Sequence, residues 1–390
     1  MKYYKLSAKL LSPIMIQENR QSNTPKSLSH ITGSTLRGAL AMKYLRLGGR
    51  SEDDTFNTLF SSDVIKYPNL YPSDEQETTV ASILPFTTVS CKNNSGFQQT
   101  IDDDNQTGHG VNDCLVEKLA KRQKIDTRVI SCKKCDQSLR AFTGFWSNSI
   151  NNPRKIETAL LFTRHTGIDR STGTVAPNIF FTNQVIADMQ KLHINKGPGY
   201  FTQYFNGCTY LSENQLTLLQ DLSSDSLFIG RNRSRGMGEI ELSVEETGNT
   251  TFDMPQWNAS FREKYKKTTE SEPSEGIYFT VGLESHAILL DRFLRPAYDV
   301  NLNFPDITLV LKVIKTQIIK GWNSAWKMAK ADDIATSMGS VFLFRYTGND
   351  LQGVNEYLTG LKRDGIGLRT CEGFGQVSIC NRIHTLTEAL

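Results

Sequence analysis

Four cysteines in the first half of the chain have side chains that bind metal ions in many proteins. They are Cys91, Cys114, Cys132 and Cys135, and the last two form a Cys-Lys-Lys-Cys segment. Two cysteines separated by two residues can occupy adjacent corners of a tetrahedral site. Because the N-terminus shows no secretion signal, this spacing favours metal over disulfide bonds. We expect a structural Zn²⁺ site closed by the four thiolates, with His109 as a substitute ligand.

A second group of residues is cationic. Three arginines alternate with polar residues in a glycine-rich loop, Gly230-Arg-Asn-Arg-Ser-Arg-Gly236-Met-Gly238. Backbone N–H groups left open by glycines can bind anions, and arginines add bidentate donors for phosphate. The loop therefore predicts contact with a sugar-phosphate chain through Arg231, Arg233 and Arg235 and the backbones of Gly236 and Gly238. The alternative is a simple turn with solvated arginines.

The loop pattern recurs near the end of the chain. Gly367-Leu-Arg-Thr-Cys-Glu-Gly373-Phe-Gly375 aligns with the first loop without gaps. Arg369, Gly373 and Gly375 are therefore candidate contacts too. However, Glu372 stands where the first loop has Arg235, which weakens phosphate binding and suggests packing or subunit contact at the second loop.

The segments around each loop repeat as well. Ser212 begins a capping box before an apolar helical pattern, and a second helical pattern starts at Leu351. Alternating strands follow both loops, at residues 240–244 and 377–379. The simplest repeated unit is βαββαβ, so we predict an α+β fold of two ferredoxin-like domains.

Spacing along the chain predicts where the domains lie. Ser12 and Gly230 are much farther apart in sequence than the equivalent Ser285 and Gly367. The first domain, residues 1–245, must therefore contain an insertion at about 75–185, with the cysteines and a β-hairpin. Residues 246–275 are rich in Thr, Glu and Ser and are predicted to be a linker. The second domain is predicted at 276–390.

The predicted hairpin in the insertion is dense in polar donors. It runs Thr163-Arg-His-Thr-Gly-Ile-Asp-Arg170-Ser-Thr-Gly-Thr174, between apolar segments. Arg164, His165 and Arg170 are placed to touch an RNA backbone or separate its bases, as recognition of single-stranded RNA often requires. The alternative is a solvated hairpin tip.

Composition excludes several classes of function. The 390 residues are 38% hydrophobic and 22% charged, with a net charge of +3, which is typical of a soluble globular protein. No apolar run is long enough to span a bilayer, and a cytoplasmic location is expected. A phosphate-binding Gly-x4-Gly-Lys-Ser/Thr motif is absent, so nucleotide hydrolysis is not expected. His30 is the one candidate general base for RNA cleavage.

Several segments resemble a known family. Ile31-Thr-Gly-Ser-Thr-Leu-Arg-Gly-Ala-Leu40 and the two glycine-rich loops resemble the repeat-associated mysterious protein (RAMP) superfamily of CRISPR subunits. More narrowly, the segments 163–173, 321–326 and 339–344 resemble the type III-D subunit with two RAMP domains. The resemblance covers most of the chain.

The resemblance implies a subunit that caps one end of a ribonucleoprotein in antiviral defence and binds the 5′ handle of the crRNA. Its partners would be the neighbouring backbone RAMP subunit and the large polymerase-domain subunit, with no membrane. RNA contacts would include Arg37, beside the first helix start. Members of this capping type usually lack nuclease activity.

Two alternatives remain open from the residues. One is a metal-independent RAMP endoribonuclease that processes precursor crRNA with His30 or His165. The other is a zinc-stabilised interaction module that does not contact RNA.

Overall fold

The computed structural model describes residues 1–17, 25–61, 65–73, 80–98, 107–125, 131–194, 197–248, 251–323 and 326–390. Parts of the predicted segments lie outside these ranges. They are residues 75–79, 99–106 and 126–130 of the predicted insertion, and Ser324 and Ala325 in the 321–326 motif. Positions 249 and 250 of the predicted linker lie outside them too.

The described residues form a mixed α+β fold. Its helices are α1 (Gly33–Arg46), α2 (Asp54–Phe60), α3 (Leu115–Arg122), α4 (Glu213–Ser223), α5 (Met254–Thr269) and α6 (Leu351–Asp364). The predicted capping box is confirmed at α4, where Ser212 and Gln215 exchange side-chain and backbone hydrogen bonds. In the ranges that the structure describes, the helices are all too short or too polar to cross a lipid bilayer.

Many short strands join the long ones. The first half of the chain contains β1 (Lys2–Leu10), β2 (Tyr71–Pro72), β3 (Ser82–Ile83), β4 (Thr88–Cys91), β5 (Val111–Asp113), β6 (Leu139–Ala141), β7 (Phe145–Trp146), β8 (Lys155–Ile156), β9 (Leu160–Ile168) and β10 (Val175–Ile186). Next come β11 (Met189–Ile194), β12 (Gly197–Thr202), β13 (Tyr204–Leu211), β14 (Leu227–Phe228), β15 (Glu239–Glu246) and β16 (Ile277–Leu283). The last are β17 (Leu289–Leu290), β18 (Pro296–Ala297), β19 (Ile307–Val313), β20 (Thr316–Ile319), β21 (Trp322–Asn323), β22 (Met328–Ala329), β23 (Asp333–Thr336), β24 (Val341–Tyr346) and β25 (Val377–Ile379).

One antiparallel sheet organises the N-terminal part of the chain. Its strand order is β14-β15-β1-β13-β2. In the central strand, Leu6 lies opposite Gly207 on one side and Val244 on the other. Leu6 and Leu10 are buried and pack in one core with Leu36 of α1 and Leu219 of α4. We call this sheet with α1, α2 and α4 the first lobe.

A second antiparallel sheet has the order β19-β24-β16-β25. Reading β16, β19, β24 and β25 as counterparts of β1, β2, β13 and β15, the two sheets share one strand order. Helix α6 precedes β25 as α4 precedes β15. The first helix of the predicted βαββαβ unit is missing, however, since residues 276–313, all of them described, contain no α-helix. We call this sheet with α5 and α6 the second lobe.

The prediction of a linker at 246–275 is wrong for most of its length. Residues Met254–Thr269 form α5, capped by Asp253. Trp257, Phe261 and Tyr265 are buried at helical spacing and belong to the core of the second lobe. The many polar residues of this segment lie on the opposite face of the helix, which is why its composition resembled a linker.

The α3 part of the insertion packs on the second lobe. Leu115 and Leu119 of α3 are fully buried in the same core as α5. Nζ of Lys264 in α5 donates to the carbonyl oxygen of Asp113, at 3.0 Å. The Asp113 carboxylate lies 3.0 Å from Nδ1 of His384, and both side chains are fully buried. A buried polar network therefore joins the insertion, α5 and the C-terminal segment.

Candidate functional site

The two glycine-rich loops have the same backbone structure. We call residues 230–238 loop 1 and residues 367–375 loop 2. Equivalent hydrogen bonds hold both loops to the segment after the first strand of their own lobe. In loop 1 the pairs are Arg231 N–Met15 O at 2.9 Å, Gly238 N–Pro13 O at 2.9 Å and Glu239 N–Ser12 Oγ at 2.8 Å. In loop 2 they are Leu368 N–Ile288 O at 2.9 Å, Gly375 N–His286 O at 2.8 Å and Gln376 N–Ser285 Oγ at 2.8 Å.

Each loop also contains one short 3₁₀ helix, Arg233–Arg235 in loop 1 and Thr370–Glu372 in loop 2. The residue before each 3₁₀ helix is left-handed, with φ of 62° at Asn232 and 58° at Arg369. The glycine after it is left-handed too, with φ of 75° at Gly236 and 90° at Gly373. The predicted alignment of the two loops therefore holds down to single backbone angles.

Loop 1 presents its cations to solvent. Arg231, Arg233 and Arg235 are all exposed. The Arg235 guanidinium lies over the ring of Phe181, 5.4 Å from its centroid. On the adjacent strand, His165 stacks on Phe181 with ring centroids 5.0 Å apart. Loop 1 and the hairpin thus form one continuous cationic and aromatic surface.

The hairpin itself is β9 paired with β10, in the predicted place. Arg164 and Arg170 are exposed, and His165 is half-buried against Phe181. Phe162 and Phe180 are also exposed, at 59% and 66%. These two aromatic residues were not predicted to contact RNA, because in the sequence they lie in the apolar segments on either side of the polar hairpin tip.

Loop 2 has its charges neutralised. Arg369 donates to Asp333 at 2.7 Å and to Glu372 at 2.8 Å. Lys330 forms a second ion pair with Glu372 at 2.8 Å. These side chains are largely covered, so Arg369 is not available to phosphate in the way that the loop 1 arginines are.

Gly373 of loop 2 is packed against the first lobe. A Cβ atom placed on Gly373 would lie 2.6 Å from Oδ1 of Asn69 and 3.2 Å from Cα of Gly33, the first residue of α1. A Cβ on Gly33 would lie 2.8 Å from the carbonyl oxygen of Glu372. By contrast, a Cβ on Gly236, the equivalent residue of loop 1, would have no neighbour within 4 Å.

Two further predicted positions are largely inaccessible. The guanidinium of Arg37 donates to the carbonyl oxygen of Phe60 at the end of α2, which favours a structural role for Arg37. His30 is buried against the rings of Tyr71 and Phe145. Burial lowers the pKa of His30 to about 3, so this imidazole is a weak base with no access to solvent.

Four side chains in the insertion converge on one point. They are Cys91, His109, Cys132 and Cys135, and one ligand atom from each lies within 4.8 Å of all the others. Sγ of Cys91 is 3.5 Å from Sγ of Cys135, and Nδ1 of His109 is 3.3 Å from Sγ of Cys132. Three thiols and an imidazole are a common donor set for tetrahedral Zn²⁺, and their spacing fits it.

The electrostatics of the cluster favour a thiolate at Cys91. Burial alone would raise the pKa of this thiol, but hydrogen bonds from the backbone N–H groups of Asn94 and Asn93 and from the neighbouring thiols lower it to about 6. Metal binding needs the deprotonated form, which is therefore present at neutral pH.

The prediction of Cys114 as a fourth ligand is wrong. Sγ of Cys114 donates to the carbonyl oxygen of Thr87 at 2.8 Å, and Cys114 is not part of the cluster. Burial raises the pKa of this thiol to about 12, which opposes thiolate formation. His109, the predicted substitute, lies in the cluster instead.

A search of curated protein sequences finds no match. Among solved structures, a chain of the type III-B Cmr-beta complex bound to cognate target RNA and AMPPnP is 14% identical, with a TM-score of 0.39; the match covers 91% of this chain and 93% of that one. Oligomeric Cmr4 from Pyrococcus furiosus is also 14% identical, with a TM-score of 0.25, covering 64% of this chain and all of its own, 100%.

The family comparison is more specific than these structural matches. The family model described as the RAMP superfamily matches residues 7–241. This stretch contains the end of β1, the motif at the start of α1 and the whole of loop 1. It also spans more than half of the sequence. The chain belongs to the RAMP superfamily.

Proposed function

We propose that the chain is a crRNA-binding structural subunit of a type III CRISPR effector complex. The observation that carries this proposal is the exposed surface of loop 1 and the hairpin. Three exposed arginines lie there on a loop held by backbone hydrogen bonds, beside exposed aromatic rings. Membership of the RAMP superfamily supports it independently.

The two sheets support a finer description of the fold. We infer two ferredoxin-like RAMP domains, the first at 1–245 with the insertion and the second ending at residue 390. The shared strand order and the shared loop structure support this duplication. The second domain gains α5 from the segment predicted as a linker.

The chemistry of the surface suits a single RNA strand. Arg231 and Arg233 would donate to phosphate oxygens, with Arg164 and Arg170 continuing the cationic path along the hairpin. Phe162 and Phe180 would stack on unpaired bases, since every base presents an aromatic face. Arg235 would stay over the ring of Phe181 and hold loop 1 against the hairpin.

We further propose that this RNA is the 5′ handle of crRNA and that the chain caps one end of the complex. The type III-D assignment rests on the segments 163–173, 321–326 and 339–344. The partners would be a backbone RAMP subunit and the large polymerase-domain subunit. The unequal loops support an end position, because only one of them is exposed.

The RNA proposal is tested by replacing Arg231 and Arg233 with Ala together. We expect weaker binding of a repeat-derived RNA by the purified chain. The slope of log K against log salt should fall by about 1.4, because two phosphate contacts to a single strand are lost. Binding is measured by fluorescence anisotropy at several salt concentrations.

The matched control is Arg363→Ala, at an exposed arginine of α6 that forms an ion pair with its neighbour Asp364. This variant should bind RNA as the wild type does. An unchanged affinity and slope in the double variant would contradict RNA binding by loop 1.

We also propose that Cys91, His109, Cys132 and Cys135 hold one structural Zn²⁺ ion. Four protein ligands leave no open position for water, so the ion would stabilise the insertion and would not take part in catalysis. Cys132 and Cys135 lie in a tight turn, where the Cys135 N–H donates to the Cys132 carbonyl oxygen.

Metal analysis of two variants tests the zinc proposal. Cys132→Ser should lose about one equivalent of zinc relative to wild type. Cys114→Ser, which changes a neighbouring cysteine outside the cluster, should keep it. Equal zinc content in the wild type and Cys132→Ser would exclude the site.

A further inference from the structure

Loop 1 and loop 2 share one backbone conformation but differ in what covers them. In loop 2, the carbonyl oxygen of Glu372 and the Cα of Gly373 face the first turn of α1. In loop 1, the equivalent face is formed by Arg235 and Gly236 and is open to solvent. The chain therefore contains one occupied and one free copy of the same surface.

The occupied copy shows what this surface accepts. Helix α1 begins at Gly33, directly after Thr32, whose side chain accepts from the Thr35 N–H. The Gly33 N–H is bound by Oδ1 of Asn69 at 2.8 Å. The Glu372 carbonyl oxygen lies at this helix start, where the partial positive charge of a helix N-terminus is favourable for it. Gly33 and Gly373 lie so close that neither position has room for a side chain.

In both loops, the side chains next to this backbone face contact residues of their own lobe or hairpin. In loop 2, Glu372 reaches Lys330 and Arg369 reaches Asp333, both in the β20–β23 segment of its own lobe. In loop 1, Arg235 similarly lies over Phe181 of its own hairpin. The Arg235 side chain is therefore engaged with the hairpin, while the space around Gly236 stays open.

We propose that the Arg235–Gly236 face of loop 1 docks onto the first turn of a helix in a neighbouring protein subunit. The partner helix would start as α1 does, with a Ser or Thr cap followed by a small residue. This inference builds on the proposed scaffold function, but it assigns the open face of Gly236 to protein rather than to RNA.

The same geometry gives the assembly a direction. The start of α1 is already occupied by loop 2 of the same chain. The second lobe offers no equivalent helix start, because residues 276–313 contain no α-helix. The open Arg235–Gly236 face of loop 1 can therefore dock on a neighbour, whereas the start of α1 is already covered within the chain.

The decisive variant is Gly236→Asn. Asn tolerates a left-handed backbone, and position 236 has open space, so loop 1 should keep its fold. A side chain at the same place in loop 2 would collide with Asn69 and Gly33, so Asn at 236 should block a partner helix start in the same way. The tagged chain is co-expressed with the proteins encoded beside it, and the purified complex is analysed by native mass spectrometry.

We expect Gly236→Asn to reduce the occupancy of one protein neighbour at least tenfold, while the isolated variant keeps the fold of the wild type by circular dichroism. Gly48→Asn, at another exposed glycine with positive φ and open surroundings, should change neither. The Arg231→Ala, Arg233→Ala double variant should instead weaken RNA binding by the isolated chain. Failure of the RNA proposal and failure of the docking proposal are therefore separate results.

A photo-cross-linking p-benzoylphenylalanine at position 234, next to the open face, identifies the occupant. We expect a cross-linked peptide from the start of a helix in a neighbouring subunit. Full retention of every protein neighbour by Gly236→Asn would overturn the docking proposal. So would a cross-link to RNA alone.

Discussion

Loop 1 and loop 2 are the same backbone put to two uses. Both are held by hydrogen bonds at equivalent positions, and both turn through a 3₁₀ helix between left-handed residues. Loop 1 exposes three arginines, whereas loop 2 binds its one arginine to Asp333 and Glu372. The two loops thus differ in their side chains and in what covers them, since loop 2 packs against the first lobe and loop 1 faces solvent.

The two lobes differ in the same sense. The first lobe packs its sheet against α1 and α4, which lie within its own unit. The second lobe has lost its first helix, and its core is filled by α5 and by α3 from the insertion. The stability of the second lobe therefore depends on parts of the chain that are far away in sequence.

The largest effect should come from Lys264→Met. This change leaves the buried Asp113 carboxylate and two carbonyl oxygens without their cation. Loss of one member of a buried charged network destabilises by about 3–5 kcal/mol. Urea unfolding measures it, with Lys267→Met on the exposed face of α5 as control. Equal stability of the two variants would show that the network does not hold the insertion to the second lobe.

A matched pair of glycine substitutions should separate the loops. Gly373→Ala and Gly236→Ala both place a side chain at positive φ, which costs about 1 kcal/mol. Only Gly373→Ala also forces a Cβ against Asn69 and Gly33, which adds about 1–3 kcal/mol of overpacking. Thermal unfolding compares them. If the two variants have the same melting temperature, the contact of Gly373 with Asn69 and Gly33 does not hold the two lobes together.

Arg369→Ala should lower the free energy of unfolding without changing the affinity for RNA. The variant loses charged hydrogen bonds to Asp333 and Glu372, which are worth about 1.5–3 kcal/mol in total for a largely covered pair. Its RNA affinity should equal that of the wild type. A salt-dependent loss of RNA binding would instead place loop 2 on the RNA path and remove the contrast between the loops.

The smallest effect is a pH dependence confined to acid. Burial of Asp113 alone would raise its pKa, but His384, Lys264 and Thr87 lower it from 3.8 to about 2. A lowered pKa in the folded state contributes stability above the unfolded pKa and loses it as pH falls through the folded value. The stability difference between wild type and Asp113→Asn should therefore shrink from pH 4 to pH 2. A constant difference would mean that Asp113 is not ionised in the fold.

Much of the local structure could be predicted from single residues. The capping box at Ser212 and the hairpin at 160–186 depend on neighbours a few positions away, and both are present. The alignment of Ser12 with Ser285 corresponds to two identical hydrogen bonds in the structure. Helix α5 was missed even though Trp257, Phe261 and Tyr265 are spaced along one face, because the polar composition was given more weight than the period.

The long-range pairings could not be predicted in this way. The choice between Cys114 and His109 depends on which side chain the fold brings to Cys91 and Cys132. The neutralisation of Arg369 depends on Asp333, which lies on a distant hairpin. The number of residues between two positions in the sequence does not give the distance between their side chains in the folded chain.

By itself, the amino-acid sequence determined the duplicated glycine loops, since φ > 0 and close backbone approach at these positions require glycine. It also determined the alternating strands and capped helices around them, because these follow from local periodicity and local hydrogen bonds. Only the tertiary structure decided which loop is open and which is occupied. That outcome depends on Gly33, Asn69 and Gly373 meeting across the two lobes, a contact set by packing of the whole chain.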